Sequence, residues 1–257
     1  MDLGIAGRTA VVAASTSGLG LASARALAHE GASIVICGRR RDLAEKEASQ
    51  LPSAIGLAAD LSEPDSPERI MEAACDTFGA VDILVWNSGG PDPMAASELS
   101  ARDLEEGARF LVNPFARFLE MAVPPMRTRR WGRIVAIGSS GIRQPIPNLA
   151  VSNALRSAVA GICKTLAAEV AGDGVTVNMV LPGRIATARV AEIDEYVAEQ
   201  EGVTADNVAA RSQASIPAGR YGTPEELGAV VAFLCGEPAA YITGSQLAVD
   251  GGLIRGY

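Results

Sequence analysis

The sequence predicts an α/β fold in which a doubly wound, mostly parallel sheet carries helices on both faces. Three observations indicate it. Short apolar runs typical of buried strands alternate with helical patterns along the chain. The first run, Thr9–Ala14, enters a glycine-rich turn and a helix, and a later run, Ile134–Ile137, ends in Gly-Ser-Ser-Gly. Because parallel strands of such a sheet end at one edge, we expect the functional groups there.

Length and charge narrow the classes of function. The 257 residues contain no linker-like segment and predict one domain over residues 1–257. A net charge of −8 disfavours nucleic acid or an anionic membrane as partner and favours a small molecule. The four cysteines are widely spaced in apolar contexts typical of buried thiols, and no metal site is expected. Without a signal-peptide pattern or a long uncharged apolar run, we expect a cytoplasmic protein.

The turn after the first strand suits a pyrophosphate. It comprises Ser15, Thr16, Ser17, Gly18, Leu19 and Gly20. A helix predicted for 21–30 follows at once, so its free N–H groups and positive dipole end would face a bound phosphate, and glycines permit close backbone approach. A tight turn between strand and helix is the plainer explanation of such a motif taken alone. The segments that follow favour the nucleotide.

The second predicted strand, 33–37, ends in arginines where an acidic residue would bind the ribose hydroxyls of NAD. Arg39 and Arg40 are instead suited to a 2′-phosphate, and no Asp or Glu lies between Glu30 and Asp42. Cations at a helix N-terminus oppose its dipole, so a solvated helix start explains them less well than a ligand does. The sequence therefore favours NADP(H) over NAD(H).

The remaining elements continue the alternation. Strands are predicted at 54–59, 81–86, 175–181 and 246–249, and helices at 67–78 and 100–126. Pro114 lies inside the second of these helices and predicts a kink. Residues 188–216 are richer in charge, contain two helical patterns and are interpreted as a substrate lid. Thr223, with Glu226 three residues on, predicts the start of a further helix.

The stretch 133–170 carries the strongest functional signal. A hydroxyl-rich loop at Ser139 precedes a helical pattern that reads Leu-Ala-Ala-Glu at 166–169, with Ser152 and Arg156 one turn apart on one face. Over its whole length the chain resembles the short-chain dehydrogenase/reductase family, and within it the bacterial 3-oxoacyl-carrier-protein reductases. The resemblance implies a Rossmann-type domain of about seven strands, hydride transfer involving a nicotinamide nucleotide, and a catalytic role for Ser139.

Two catalytic positions depart from the family pattern. Ser152 stands where the family has the tyrosine that protonates the carbonyl, and Arg156 where it has the lysine that lowers the tyrosine pKa and binds the nicotinamide ribose; no Tyr-x-x-x-Lys occurs in the chain. Neither replacement is a competent general acid, and losing one costs roughly 10²–10⁴ in rate. Ser139 and Arg156 remain suited to stabilise an alkoxide. Ser139→Ala is therefore expected to cost more turnover than Ser152→Ala.

The resemblance also implies positions that bind the nucleotide and relay the proton. The adenosine contacts are Asp60, Leu61, Asn87, Ser88 and Gly89, and the loop over the nicotinamide supplies Pro182, Gly183, Ile185 and Thr187. Asn113 corresponds to the asparagine that holds a water of the proton relay, and Tyr196 in the lid is a second candidate proton donor. Ala14 replaces the first glycine of the turn, which is harmless at negative φ and costs on the order of 1 kcal/mol at positive φ.

Two functions from different classes are consistent with these residues. The first is an oxidoreductase that transfers hydride between NADP(H) and a carbonyl or alcohol, for example a 3-oxoacyl thioester or another ketone, with an atypical proton donor. The second is a nucleotide-binding member of the family without its redox chemistry, which Ala14 and Ser152 favour. The apolar helix at 149–170, which the family pairs with its own copy, suggests a homodimer or homotetramer.

Overall fold

The computed structural model describes residues 1–256, and these residues form a parallel sheet of seven strands. The strands are Thr9–Val12 (β1), Ser33–Gly38 (β2), Ala54–Ala58 (β3), Ile83–Trp86 (β4), Gly132–Ile137 (β5), Val175–Pro182 (β6) and Gln246–Val249 (β7). Their order across the sheet is β3-β2-β1-β4-β5-β6-β7. From β1 the chain adds β2 and β3 on one side and β4 to β7 on the other, so the topological switch point lies between β1 and β4. A ligand crevice is expected at this switch point, and the predicted doubly wound fold is confirmed.

Helices cover both faces of the sheet. They are Gly18–His29 (α1), Arg41–Ala48 (α2), Ser66–Phe78 (α3), Ala101–Leu111 (α4), Asn113–Arg129 (α5), Ala150–Val170 (α6), Ala188–Glu201 (α7), Ala205–Ala214 (α8) and Pro224–Cys235 (α9). One apolar layer joins the sheet to α3, α5 and α6, and the other joins it to α1 and α9. The core therefore lies in two layers, one on each side of the strands.

The central strand shows why its sequence is continuously apolar. In β1, Val11 packs into the layer of α3, α5 and α6, whereas Ala10 and Val12 pack into the layer of α1 and α9. Both faces are fully buried, so the alternation of polar and apolar residues seen in a half-exposed strand is absent. β1 ends two residues earlier than predicted, because the backbone turns into the left-handed region at Ala14, where φ is 45°.

The long helix predicted for 100–126 is two helices. The chain leaves helical geometry at Val112, with φ −116° and ψ −51°, and α5 begins at Asn113. Pro114 thus occupies the first turn of a new helix, where its missing N–H has no partner to lose. The proline ends one helix and starts the next, which is a stronger effect than the predicted kink.

Other local predictions are largely confirmed. The segment 188–216 contains the two predicted helices, α7 and α8, and Thr223 and Glu226 form the capping box at the start of α9. Cys37, Cys163 and Cys235 are buried, but Cys75 is exposed because it lies on the outer side of α3. Within residues 1–256, no helix combines the length and apolar character needed to cross a membrane.

Candidate active site

A cavity of about 1150 Å³ opens at the carboxyl ends of the strands. It brings together most of the residues that the sequence singled out. These are Ala14, Thr16, Ser17, Gly18, Leu19, Arg39, Arg40, Asp60, Leu61, Asn87, Ser88, Gly89, Ser139, Ser152, Arg156, Pro182, Gly183, Ile185 and Thr187. Three of the predicted residues, Ser15, Gly20 and Asn113, are not among the residues that line it.

The turn after β1 is tightly packed. The carbonyl of Ala14 accepts a hydrogen bond from Nδ2 of Asn87 at 2.9 Å, and a Cβ atom on Gly20 would lie 2.6 Å from that same carbonyl oxygen. Gly20 is therefore required by packing beneath the turn. Ala14 itself stands at φ 45°, in the region that favours glycine, so the alanine strains the turn.

Ser15 does not face the cavity, which corrects its prediction as a nucleotide contact. Its side chain is fully buried between β1 and β2. The hydroxyl donates to the carbonyl of Val12 at 2.6 Å and accepts from the backbone N–H of Cys37 at 3.1 Å. Both hydrogen-bonding functions are used inside the protein, so Ser15 shapes the turn and leaves contact with a ligand to its neighbours.

The end of β2 is electropositive. Arg39 and Arg40 are exposed at the cavity, and within residues 1–256 neither lies within ion-pair distance of a carboxylate. Arg41, next to them, pairs instead with Glu45 at 3.6 Å and does not line the cavity. Hydrogen bonds from the backbone and hydroxyl of Ser62 lower the pKa of Asp60 below its usual value. The carboxylate of Asp60 therefore stays ionised at the neighbouring strand end.

Arg156 projects from α6 and joins the ends of β4 and β5. Its Nη1 atom donates to the carbonyl of Ile137 at 3.2 Å and its Nη2 atom to that of Gly89 at 3.3 Å. Its Nε atom donates to the Oγ atom of Ser152 at 3.3 Å. Burial lowers the pKa of Arg156 to about 10, so the guanidinium remains charged near neutral pH. No carboxylate of the described residues lies within 4.0 Å of it.

Ser139 and Ser152 line the same cavity from different elements. Ser139 follows β5, and its Oγ atom accepts a hydrogen bond from the backbone N–H of Gly141 at 3.0 Å. Ser152, 8% exposed, lies in the first turn of α6 and accepts from Arg156. The expectation that Ser139, Ser152 and Arg156 share one cavity is met by this geometry. The chain thus presents two hydroxyls and a fixed cation to whatever the cavity holds.

Asn113 lies at the start of a helix and not in the middle of the single long helix that the sequence predicted. It begins α5, is exposed, and lies outside the set of cavity residues. Phe110, at the end of α4, lines the cavity instead. The part of Asn113 in a proton relay stays a prediction.

The outer part of the cavity is mostly apolar. Most of the residues that line it were not named individually from the sequence. Its walls are Pro91, Pro93, Phe110, Ile146, Pro147, Leu149, Val190, Ile193 and Val197, with Asn148, Arg189 and Tyr196 as polar members. The α7 residues among them recur at the spacing of one helical face. That periodicity was present in the sequence and identifies the face of α7 that lines the cavity.

The segment from α7 to α8 is fixed at its base by a buried carboxylate. Asp194, 3% exposed, accepts a hydrogen bond from the Tyr221 hydroxyl at 2.8 Å and pairs with Arg184 at 3.2 Å. Burial is the largest cause that raises the pKa of Tyr221. Nearer the cavity mouth, Nη2 of Arg189 donates to the carbonyl of Pro91 at 3.1 Å. The helix α7 is thus tied to the rest of the protein by an ionic cluster at Asp194 and by a hydrogen bond at Arg189.

Comparison with known proteins gives a consistent result. A family model described as enoyl-(acyl carrier protein) reductase matches residues 13–254. A rabbit (Oryctolagus cuniculus) protein, dehydrogenase/reductase SDR family member 4, is 31% identical and covers 96% of this chain and 94% of its own. The 3-oxoacyl-[acyl-carrier-protein] reductase of Vibrio cholerae is 32% identical, with coverages of 98% and 99%.

Solved structures agree with the sequence relatives. The L-sorbose reductase of Gluconobacter frateurii, determined in complex with NADPH and L-sorbose, superposes with a TM-score of 0.94 at 32% identity over 100% of both chains. YwfH, an NADPH-dependent reductase involved in bacilysin biosynthesis, gives a TM-score of 0.91 at 28% identity, covering 97% of this chain and 99% of its own.

Proposed function

The chain belongs to the short-chain dehydrogenase/reductase family, and on this premise we propose that it reduces a carbonyl compound to an alcohol with NADPH. The observation that carries the proposal is a single cavity that holds the glycine turn, Arg39 and Arg40, and the group of Ser139, Ser152 and Arg156. NADPH, when bound, supplies the hydride. The chain's own residues supply binding, orientation and charge.

The residues of the turn after β1 fit a pyrophosphate. Ser17 has extended backbone angles, φ −162° and ψ 172°, and its side chain does not cap α1. The first N–H groups of α1 are therefore not satisfied by a side-chain cap, and the cavity lies beside them. The strained backbone at Ala14 lowers the free energy of unfolding. The hydrogen bond from Asn87 to the carbonyl of Ala14 nevertheless keeps the shape of the turn defined.

Arg39 and Arg40 support NADPH over NADH. A 2′-phosphate offers three oxygens to guanidinium groups, whereas the two ribose hydroxyls of NADH prefer an acidic partner. Asp60 and Leu61 line the adenine end, Ser88 and Gly89 the ribose, and Thr187 with the 182–185 loop the nicotinamide. This assignment follows the family and fits the positions of these residues around the cavity.

The apolar outer chamber supports a ketone with a hydrophobic substituent, for example a 3-oxoacyl thioester. Val190 and Ile193 of α7 line this cavity together with Phe110 and Leu149. Burying apolar surface there contributes roughly 25 cal/mol per Å². Ser139 is positioned to donate to the carbonyl oxygen, and the proton is supplied either by Tyr196, 46% exposed on the lid, or by water.

A second candidate function, nucleotide binding without redox chemistry, is favoured by two observations. Ala14 lies at φ 45°, which opposes the family's glycine turn, and Ser152 replaces the general acid. The test is an absorbance assay of NADPH consumption against a panel of ketones that includes β-ketoacyl thioesters. Reduction of one of them supports the first function. Tight NADPH binding with no consumption across the panel would favour the second.

We also propose that the protein forms a homodimer through α5 and α6. These helices border an exposed groove of about 660 Å³ whose lining is mainly apolar. Its residues are Leu119, Glu120, Val123, Pro124, Ala158, Gly161, Ile162, Thr165, Leu166 and Glu169. Exposed apolar surface of this kind typically marks an interaction site. Light scattering that gives a monomer at micromolar concentration would refute this assignment.

A further inference from the structure

The hydroxyls of Ser139 and Ser152 share one hydrogen-bonding pattern. Each Oγ atom already accepts a hydrogen bond from a fixed donor, the N–H of Gly141 for Ser139 and the Nε–H of Arg156 for Ser152. A hydroxyl carries one proton to donate. Within residues 1–256, neither hydroxyl donates to a protein acceptor. Both protons are therefore available to an atom inside the cavity.

Arg156 adds a fixed positive charge behind Ser152. Three main-chain carbonyls and one hydroxyl surround the guanidinium, so it is oriented by the protein and not by a counter-ion. Neutral carbonyls leave its charge uncompensated. Negative charge that develops nearby in a partly buried site interacts with such a cation more strongly than it would in water.

We propose that Ser139 and Ser152 together form an oxyanion site, with Arg156 as the positioning residue that orients Ser152. This inference rests on the carbonyl reduction proposed above. Hydride that NADPH would supply, with cleavage of its C4–H bond and oxidation to NADP⁺, forms the new C–H bond of the substrate, and the electron pair of the C=O π bond moves to the oxygen. The two serine O–H groups hold the resulting alkoxide without giving up their protons. Water then protonates the alkoxide, and the hydroxide produced is neutralised by bulk solvent.

This arrangement selects a class of substrate. Where a side-chain acid shares a proton in the transition state, the oxygen never carries a full charge. Here the oxygen carries the charge itself, so the site favours ketones whose electron-withdrawing substituents stabilise the alkoxide, such as 1,2-dicarbonyl compounds and electron-poor aryl ketones. The apolar chamber that contains Phe110 and Leu149 accommodates an aryl or alkyl substituent.

Binding of an oxyanion probe tests the site without catalysis. The probe is 4-nitrophenol, whose phenolate absorbs at longer wavelength than the phenol, titrated into the full-length protein. We expect the bound probe to ionise below its solution pKa. Ser139→Ala and Ser152→Ala should each weaken phenolate binding about tenfold or more, the scale of a hydrogen bond to a charged group. Ser152→Thr, which keeps the hydroxyl, should retain binding.

Ser157→Ala serves as the matched control, because Ser157 is an exposed serine of α6 that bonds only within its helix. Its phenolate binding should equal that of the parent. Phenolate binding by Ser152→Ala that equals the parent would overturn the proposal, as would a parent protein that prefers the neutral phenol. A loss of binding in both Ser152→Ala and Ser152→Thr would also overturn it, since the hydroxyl would then not be the group that matters.

Turnover of ring-substituted acetophenones provides the second arm. The proposal predicts a steep rise in kcat with electron withdrawal, and a fall of about 10²-fold in Ser152→Ala, the effect of removing one oxyanion donor. This loss would equal that of Ser139→Ala, whereas the sequence alone predicts a smaller effect for Ser152→Ala. If no ketone is reduced while phenolate binding behaves as expected, the proposed function fails and the oxyanion site stands. If ketones are reduced with a flat substituent dependence and Ser152→Ala is as active as the parent, the function stands and the oxyanion site is excluded.

Discussion

The Nε atom of Arg156 lies 3.3 Å from the Oγ atom of Ser152, one helical turn away on α6, and donates a hydrogen bond to it. We propose that these two residues stand at the positions of the family's lysine and tyrosine, as the resemblance of the sequence implies. The contact shows that the replacements act on each other. Arg156 orients the hydroxyl of Ser152, and both line the cavity that contains Ser139.

The first prediction concerns the planar fork of Arg156. Arg156→Lys keeps the charge but cannot reach Ser152 and the carbonyls of Ile137 and Gly89 together. We expect the free energy of unfolding to fall by about 1–3 kcal/mol, since the carbonyl of the buried residue Ile137 loses its donor. Urea denaturation measures it. Unchanged stability would mean that these hydrogen bonds do not hold the ends of β4 and β5 together.

A second prediction concerns nucleotide choice. Arg39→Ala should weaken NADPH binding by roughly 1–3 kcal/mol and leave NADH binding nearly unchanged, because only NADPH carries the phosphate that the guanidinium would contact. Calorimetry with both nucleotides measures the difference. Arg41→Ala is the matched control, since Arg41 pairs with Glu45 outside the cavity. Equal losses for the two nucleotides in Arg39→Ala would refute the phosphate assignment.

The fold was predictable because its signals are local and repeated. β1 is apolar on both faces and runs into a glycine turn, and Thr223 with Glu226 forms the capping box that starts α9. Pro114 was harder to interpret. A proline in a helical pattern predicts a kink or an end, and only the packing of α4 and α5 decides that the chain restarts at Asn113.

A third prediction follows from the backbone at Ala14. Ala14→Gly should raise the free energy of unfolding by about 0.5–1 kcal/mol, because relief of strain at φ 45° exceeds the extra entropy of the unfolded chain. Ala13→Gly, the same substitution at a neighbouring buried position outside the left-handed region, should lower it. Thermal denaturation compares the two. Destabilisation of both variants would show that the turn is not strained.

A fourth prediction concerns the lid. Asp194→Asn keeps the shape of the side chain but removes the charge that pairs with Arg184. We expect a loss of about 1–3 kcal/mol in stability, the cost of a weakened charged hydrogen bond, together with a higher KM as α7 loosens. Glu195→Gln, at the adjacent exposed position, is the control and should change neither. An unchanged KM in Asp194→Asn would show that the contacts of Asp194 with Arg184 and Tyr221 do not affect substrate binding.

The site was predicted unevenly, for physical reasons. Residues on the edge of the sheet, such as Arg39 and Ser139, could be placed because parallel strands end together. Ser15 faces inward because its hydroxyl forms hydrogen bonds with backbone groups of β1 and β2. The spacing of residues in the sequence does not show these bonds. Arg189 contacts the carbonyl of Pro91 across the cavity, a contact set by tertiary packing. The hydrogen bond from Arg156 that orients the Ser152 hydroxyl likewise depends on side-chain rotamers that the sequence does not specify.

The central claim is that this cavity transfers hydride to a carbonyl although the tyrosine and lysine of the family are absent. The most direct measurement uses NADPH deuterated at the transferable C4 position, the panel of ketones, and mass spectrometry of the alcohols formed. We predict one deuterium at the former carbonyl carbon, with the amount formed per unit time falling about 10²-fold in Ser139→Ala. NADPH that binds tightly but transfers no deuterium to any ketone of the panel would contradict the account.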